Sequence, residues 1–505
     1  MTPIHQHDYI QIYEAGTEAL KSRPTDIELQ HQVILALARA GALDFAISEY
    51  DRFNLAQVRG DEDIMALNGR LSKDLYLRSS GEEAKKHAQA AALKYETAFQ
   101  DSLGYYSGIN SATMAVMADM PNDRVDARIE AIEAILPTSS EVTPEDHYFT
   151  QATRAECFLL RGDVKKAAKA LREAIDFDPL NYAAHATTLK QFMMICHKRG
   201  ETSDWLSDFK PPRPIHFAGH IQLNMTPLEE DVLRNSISDA LQQKDVGFGY
   251  GALAAGGDII FAEALLEQGA ELHVVLPCQR DIFKRESVMP SGENWGERFE
   301  NCLALASSVR DVTFSSNWPE KYLNRVSGFS AMGHAILRGQ SLSAAPLQML
   351  FLTDLGAPSY TATHAKDWAV GGRSQYRIAE CKHQSISLPV RPRVPSLPSA
   401  MKRAPDDNLT LYDDIIESVD AALARRISEK PIKTAMHLNI DSEDTEAVLD
   451  QILRNGAPQS LVVSEAFASV LAAVASEKYK ITYAGQVGLG TAHPTRCYTV
   501  ALVKS

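Results

Sequence analysis

The sequence predicts an α + α/β protein built from an N-terminal α-helical repeat array, a central doubly wound, mostly parallel α/β sheet domain and a small C-terminal α+β domain. Residues 1 to about 205 are rich in Ala, Leu, Glu, Gln and Lys, and their apolar residues recur at helical spacing. From residue 215 onward, strand-like apolar runs alternate with helical ones, which is typical of a parallel sheet covered on both faces. We place the helical repeat domain at 1–208, the sheet domain at 213–386, a proline- and basic-rich linker at 387–408 and the α+β domain at 409–505.

Composition limits the classes of function. A chain of 505 residues can bury several cores, and its net charge of −14 argues against a general nucleic-acid binder. The six cysteines form no C-x-x-C pair, so we expect reduced thiols rather than a disulfide framework or a zinc site. The sequence has no signal segment and no apolar run of membrane-spanning length. We therefore expect a cytoplasmic protein without a membrane contact, a metal or a cofactor.

The clearest helical unit lies at 149–179. Small, aromatic and helix-terminating residues fall there where a tetratricopeptide repeat places them, namely at Ala155, Phe158, Gly162, Ala167, Leu171, Ala174 and Pro179. A weaker copy is centred on Leu37, Gly41, Ala46 and Tyr50. Stacked units of this kind leave a concave surface for a protein partner. A platform that only supports the next domain explains the pattern equally well.

One part of the array carries a more specific pattern. Gly69-Arg70, Lys73-Asp74 and the stretch 105–117, YYSGINSATMAVM, follow one another in the same order as in a known family. This region, about 30–195, resembles the TRAF-binding regulatory domain of the apoptosis-signal-regulating kinases and its bacterial relatives. The resemblance implies a regulatory module of tetratricopeptide type. It does not imply kinase activity, because the chain has no kinase domain.

The central domain is predicted from regular alternation of strands and helices. We expect strands at 215–218, 246–250, 272–276, 311–314, 347–353 and 377–381. We expect helices at 228–243, 258–268, 295–307, 320–338 and 363–370. Ligands in such sheets bind beyond the carboxyl ends of the strands, so those loops hold the candidate residues.

The stretch 246–276, VGFGYGALAAGGDIIFAEALLEQGAELHVVL, is the main indication of a ligand site. A glycine-rich strand and turn run into a helix and then into a second strand, an arrangement that can direct backbone N–H groups and a helix N-terminus at an anion. The spacing is neither that of a dinucleotide fingerprint nor that of a Walker A loop. A tight strand-to-helix turn that binds nothing is the alternative.

Several residues near this edge are candidate ligand contacts: His220, Gly249, Gly251, Gly256, Gly257, Asp258, Glu263, Arg285 and Ser287. The glycines would allow close backbone approach to a phosphate. Asp258 would cap the helix or meet a ligand hydroxyl or amine, with capping favoured. Glu263 would face the ligand or the solvent. Arg285 would suit a phosphate or belong to a solvated charge cluster, and His220 would donate to a phosphate or base or be structural.

A second resemblance covers about 215–385. The segments FAGH at 217–220 and GALAAGGDIIFAEALLEQGAELHVVLP resemble the SLOG superfamily of Rossmann-like nucleotide-sensing domains, and 283–288 resembles the F-x-R-x-S-V phrase of its bacterial members. The resemblance implies a nucleotide or nucleotide-derived ligand. The P-G-G-x-G-T-x-x-E motif of the cytokinin-activating hydrolases is missing from this chain, which argues against hydrolysis of a nucleotide ribose bond.

The C-terminal part is predicted to contain helices at 411–426 and 445–454, a strand at 434–440 and two final strands joined by a polar turn. Its segment SLVVSEAFASVLA resembles the end of a class III nucleotide cyclase domain. Such a domain needs two metal-binding aspartates and a late Asn–Arg pair. The nearest match to the first motif, LFLTDLG at 350–356, lies in the preceding domain, and no Asn–Arg pair stands in the right setting. We therefore expect a degenerate cyclase-like domain without catalytic residues.

Together these patterns favour a cytosolic regulatory protein that binds a nucleotide-like ligand in the central domain and a protein partner through the helical repeats. The alternative is a nucleotide hydrolase or transferase that uses the same ligand site, with Asp258 or Glu263 as the general base. An active nucleotide cyclase is the least favoured function.

Overall fold

The computed structural model describes residues 9–137, 144–221, 225–312, 320–351, 360–378, 400–403, 410–412, 414–428, 433–438, 442–455, 460–488 and 494–503. Its first part is an array of ten α-helices in antiparallel pairs: α1 (Tyr9–Ser22), α2 (Ile27–Arg39), α3 (Leu43–Arg52), α4 (Glu62–Tyr76), α5 (Gly81–Ser102), α6 (Tyr105–Met117), α7 (Asn122–Ile135), α8 (Pro144–Leu160), α9 (Val164–Phe177) and α10 (Tyr182–Arg199).

The helix pair α8–α9 shows why the repeat pattern folds as it does. Gly162 lies in the turn with φ +81°, a backbone conformation that glycine adopts without strain. Asp163 then begins α9, and its carboxylate accepts a hydrogen bond from the Lys166 N–H at 3.1 Å. Ala155 and Ala167 are fully buried, so the two helices pack closely. The predicted repeat unit at 149–179 is thus a helical hairpin.

The central domain alternates strands and helices in the order β1 (Arg213–Gly219), α11 (Pro227–Gln243), β2 (Val246–Gly251), α12 (Gly257–Glu267), β3 (Glu271–Leu276), α13 (Arg280–Ser287), α14 (Glu293–Leu305), β4 (Ser308–Asp311), α15 (Glu320–Leu342), β5 (Leu347–Phe351), α16 (Tyr360–Val370) and β6 (Gln375–Ile378). All six strands are parallel, and their spatial order is β4-β3-β2-β1-β5-β6. The predicted doubly wound α/β sheet is confirmed. Helix α13 was not among the predicted elements.

The sheet is covered on both faces. One apolar core joins β1, β2, β3 and β5 to α11, α12 and α14, with Phe217, Phe261 and Phe299 fully buried in it. On the other face α15 packs across β1, β2 and β3, and α16 packs beside it. The chain therefore builds the sheet outward from β1 to β4, crosses back through α15, and continues with β5 on the other side of β1.

The C-terminal part is a second six-stranded, mixed sheet in the order β11-β12-β10-β9-β7-β8. Its elements are β7 (Ala400–Arg403), β8 (Thr410–Tyr412), α17 (Ile415–Ser428), β9 (Thr434–Leu438), α18 (Ser442–Asn455), β10 (Leu461–Ser464), α19 (Glu465–Ala475), β11 (Tyr479–Val487) and β12 (Thr495–Leu502). Strand β7 pairs with β9 although it lies inside the stretch expected to be a linker. The expected helix start at residue 411 was wrong, because 410–412 pair with β7 before α17 begins.

The three parts share their cores. An apolar cluster joins the first four helices to the C-terminal sheet, with Ile10, Ile34 and Leu37 packed together with Val462 and Cys497. A second cluster joins α15 and α16 to α17, α19 and the C-terminal strands. The C-terminal sheet is therefore covered by the helical array and α18 on one face and by α17, α19 and the central domain on the other.

Candidate functional site

The carboxyl edge of the central sheet, next to β1, is the place where the topology favours a ligand. Strand order reverses between β1 and β5, and such a reversal opens a crevice because the connections that follow the two strands leave in opposite directions. The described residues at this edge are Gly219 and His220 after β1, the glycine turn after β2, and the first turn of α16. Residues 222–224 and 352–359, and with them most of the LFLTDLG match, lie outside the described residues.

The glycine turn folds against the end of β1. Gly256 has φ +111° and forms an isolated antiparallel bridge with Ile221, and the N–H of Gly257 donates to the carbonyl oxygen of His220 at 2.9 Å. A Cβ on Gly257 would lie 2.6 Å from the Cα of Gly219, so the two backbones are in direct contact. The chain after β1 thus covers the N-terminus of α12, where a phosphate was expected.

The other two candidate glycines also serve packing. A Cβ on Gly249 would overlap the side chain of Leu265 on α12. A Cβ on Gly251 would lie 2.7 Å from the ring and the carbonyl oxygen of Phe217 on β1. Gly249 thus lets α12 approach the sheet, and Gly251 leaves room for Phe217 of the neighbouring strand. Both glycines are buried, so neither offers a surface open to a ligand.

Asp258 holds this edge together. Its side chain is 7% exposed, and the N-cap position of α12 belongs to Gly256 instead. One carboxylate oxygen accepts from the N–H of Gly219 at 2.7 Å, and the other accepts from the N–H of Ala254 at 3.2 Å. Burial raises the pKa of Asp258 to about 7, and the two N–H donors only partly oppose that rise. Asp258 is thus a buried acid that joins β1 to the glycine turn, and it is not the N-cap residue that the sequence favoured.

His220 and Thr361 complete the described part of the edge. His220 is half-buried, and burial lowers its pKa, which favours the neutral imidazole near neutral pH. The hydroxyl of Thr361, in the first turn of α16, donates to the carbonyl oxygen of Gly219 at 3.0 Å. Thr361 brings the N-terminus of α16 to β1, yet it was not a candidate in the sequence, because its partner is a main-chain oxygen that has no signature in the residue pattern.

Glu263 lies away from this edge in a network of arginines between α11, α12 and α14. Its carboxylate accepts from Arg298 at 2.6 and 2.7 Å and from Arg234 at 2.8 Å. Burial alone would raise its pKa, but the two guanidinium groups hold the pKa below its ordinary value. A carboxylate with both oxygens engaged by arginines cannot serve as the general base that the hydrolase alternative requires.

Arg285 and Ser287 differ in their relation to the glycine turn. The Arg285 side chain is 69% exposed and forms an ion pair with the neighbouring Glu286 at 3.1 Å. Ser287 ends α13, and its carbonyl oxygen accepts from the N–H of Ala255 at 3.0 Å. The main chain at Ser287 therefore supports the turn, whereas Arg285 belongs to a solvated surface.

The structure brings four of the candidates together, namely His220, Gly256, Gly257 and Asp258, and adds Gly219 and Thr361 to them. Within the described ranges no cluster of His, Cys, Asp and Glu is arranged to hold a metal ion. Among the same residues no helix combines the length and the apolar character needed to cross a membrane.

Comparisons with known proteins identify the helical array. Residues 8–115, which span α1 to most of α6, match the family model described as Tetratricopeptide Repeats-Sensor. A comparison with curated proteins returned no match. The match covers the first part of the array and supports the tetratricopeptide class of repeat predicted from the sequence.

Two solved structures are similar to parts of the chain. One is a thermophilic TPR protein of Thermus thermophilus, with 16% identity and a TM-score of 0.29 over 36% of this chain and 89% of that chain. The other is a mutant O-GlcNAc transferase of Thermobaculum terrenum, with 8% identity and a TM-score of 0.20 over 59% of this chain and 56% of that chain.

Proposed function

We propose that the protein is a regulatory protein that binds a nucleotide-like ligand at the carboxyl edge of its central sheet, in the crevice between β1 and β5, and contacts a protein partner through its tetratricopeptide-type array. The observation that carries the proposal is the reversal of strand order between β1 and β5. His220 and the first turn of α16 stand at that edge as polar groups for the ligand.

The backbone around the crevice is fixed before any ligand binds. Asp258 accepts from Gly219, Thr361 donates to the same residue, and Gly257 donates to His220. A prearranged backbone loses little conformational freedom when a ligand binds, which favours affinity. This arrangement supports a binding site, and the glycine turn contributes to it as a support for β1.

Helix α15 supports a regulatory role, because it connects the edge to the rest of the molecule. It leads directly into β5, packs on β1, and crosses α19 so closely that a Cβ on Gly333 would overlap the carbonyl oxygen of Ser469. At its C-terminal end, just before β5, the carbonyl oxygen of Ser341 accepts from the Lys190 ammonium of α10 at 3.2 Å. A ligand that moves β5 would therefore act on both the C-terminal domain and the array.

The hydrolase or transferase alternative has weaker support. Glu263 is engaged by arginines, and Asp258 has both oxygens occupied by main-chain N–H groups. A general base has to reach a proton of the substrate or a water molecule. We therefore favour binding without turnover.

The proposal is tested by thermal denaturation with ATP, ADP, cyclic AMP, cyclic GMP and NAD as separate probes. A probe at a hundredfold excess over Kd should stabilise the fold by about 2.7 kcal/mol. In the His220→Ala protein we expect at least a tenfold higher Kd for the probe, measured as the shift from that variant's own melting temperature without a probe. His87→Ala on α5 is the matched control and should respond like the parent.

Two results would count against the proposal. One is a folded parent protein that responds to none of the five probes. The other is a His220→Ala protein that binds a probe as tightly as the parent does. If chromatography shows that a bound probe is converted to a product, the hydrolase alternative replaces binding without turnover.

A further inference from the structure

A group of cations lies where the array, the central domain and the C-terminal sheet meet. Its members are Arg78 just after α4, Lys190 on α10 and Lys480 on β11, with Lys73 on the last turn of α4. Arg78, Lys190 and Lys480 are exposed, and Lys73 is half-buried. We call these four residues the junction cations.

Packing contacts place Arg78 on the same face of the C-terminal sheet as Lys480. Lys480 and Thr482 share one face of β11, because they are two residues apart, and Thr482 pairs with Thr499 of β12. A Cβ on Gly41 would lie 2.7 Å from the hydroxyl oxygen of Thr499, so the α2–α3 turn rests on that face. The Arg78 guanidinium donates to the carbonyl oxygen of Gly41 at 3.2 Å, on the same side of the sheet as Lys480.

The other two cations are linked through α10, and Lys190 lies within electrostatic reach of Lys480. The Lys73 ammonium donates to the side-chain oxygens of Asn110 and Gln191, both at 2.8 Å. Lys190, the residue next to Gln191, donates to the carbonyl oxygen of Ser341 at the end of α15. One helix of the array thus links Lys73 to Lys190 and both to the central domain.

The junction cations have neutral partners. Among the described residues, their hydrogen bonds go to amide and carbonyl oxygens, and none of the four forms an ion pair with a carboxylate. The nearest acids are already engaged: Asp74 accepts from Arg70 at 3.2 Å, and Glu156 accepts from Thr113 and Gln191. Positive charge is therefore concentrated at this point of a chain whose net charge is −14.

The cations also repel one another. Burial, with the charge of Lys480 added, lowers the pKa of Lys190. Burial, with the charge of Arg78 added, also lowers the pKa of Lys480, although Asp74 partly opposes the shift. Burial lowers the pKa of Lys73 to about 8, although Glu156 partly opposes the shift. Like charges held together in a partly desolvated place gain most from an anion that neutralises several of them at once.

We propose that the junction cations form a second binding site, separate from the crevice between β1 and β5, for a small ligand that carries two or more linked phosphate groups. Three separate elements supply the charges, so a ligand with several linked anionic groups can meet more of them than a single carboxylate can. Lysine and arginine are the usual partners of phosphate oxygens. Because the array, the central domain and the C-terminal sheet all meet at this site, its ligand holds them together.

The experiment uses the full chain and inorganic triphosphate as the probe, at low ionic strength. We expect triphosphate to raise the melting temperature of the parent and to bind at least tenfold more weakly to the Lys190→Ala/Lys480→Ala protein in calorimetry. The double variant should melt no lower than the parent without the probe, since two partly desolvated and mutually repelling charges are gone. Added salt should weaken binding to the parent.

A matched control replaces two exposed lysines that already have acidic partners, as in Lys21→Ala/Lys169→Ala. It should bind triphosphate as the parent does. The His220→Ala protein should also keep its affinity for triphosphate, which separates this site from the crevice between β1 and β5. The proposal is overturned if the parent does not bind triphosphate, if the control loses as much affinity as the junction variant, or if an acidic peptide binds the junction and triphosphate does not.

Discussion

Replacing Asp258 by alanine removes the acceptor for two main-chain N–H groups at once. The N–H of Gly219 is in a buried residue, so its loss should cost the full penalty for an unpaired buried donor, about 1–3 kcal/mol. The N–H of Ala254 is in a half-buried residue that water can reach, and the longer bond of 3.2 Å contributes less. We expect a total loss of about 2–4 kcal/mol, compared with about 1 kcal/mol for an ordinary helix cap.

The loss is measured as the difference between the urea midpoints of the parent and of Asp258→Ala, with unfolding monitored by far-UV circular dichroism. Hydrogen exchange of a peptide covering 213–221 should speed up in the variant, because the end of β1 loses its anchor. Asp281→Ala, at an exposed aspartate in the first turn of α13, is the control. A change below about 0.5 kcal/mol, the size of an ordinary surface substitution, would refute the assigned role of Asp258.

The same carboxyl should give the protein a pH dependence with a defined sign. Its pKa is raised from 3.8 to about 7, so the folded state binds the proton more tightly than the unfolded state. Its stabilising contribution is therefore complete below about pH 4 and is lost as the pH rises through about 7. Relative to Asp258→Asn, which does not titrate, the parent should lose up to about 4 kcal/mol over that interval. A constant difference between the two proteins from about pH 4 to about pH 8 would contradict the raised pKa.

Three further substitutions test other contacts. Gly257→Ala should cost about 1–3 kcal/mol, because the added Cβ forces the backbones of Gly257 and Gly219 apart. An unchanged melting temperature would show that the fold has room for this Cβ. Gly333→Leu should separate α15 from α19, because the added side chain would overlap the carbonyl oxygen of Ser469. We expect calorimetry to show two melting transitions for the variant and one for the parent. Glu465 forms a partly buried ion pair with Arg310 at 3.1 Å. Glu465→Gln should therefore cost up to about 3 kcal/mol, the lower end of the range for a fully buried pair that loses one partner, and restoration of stability by high salt would argue against this role.

The fold could be predicted from the sequence because most of its helices and strands are marked by local patterns of residue types. The strand 246–251 and the helix that follows it are apolar, and the short Ala- and Gly-containing turn 252–256 separates them. The α8–α9 hairpin is marked by small residues at helical spacing. By contrast, β8 was taken for the start of a helix, because three residues of strand are too few to show a period of their own.

The candidate site was less predictable, because its contacts are between main-chain atoms. Asp258 was expected to cap its own helix, and its true partners lie 39 and 4 positions away. Glu263 was placed near the ligand from its position on α12, but the arginines that engage it lie on α11 and α14. No pattern of residue types encodes such distances, whereas the topology that creates the edge was encoded in the alternation of strands and helices.

The shared core between the first four helices and the C-terminal sheet has a consequence for synthesis. Leu71 is the last array residue in that core, and Ala435 is the first residue of the sheet to join it. At about 5–20 residues per second, the ribosome needs roughly 20–70 s to cover the interval. During that time the apolar face of the early helices has no partner, so a chaperone that binds nascent chains should be retained on it until the last strands emerge.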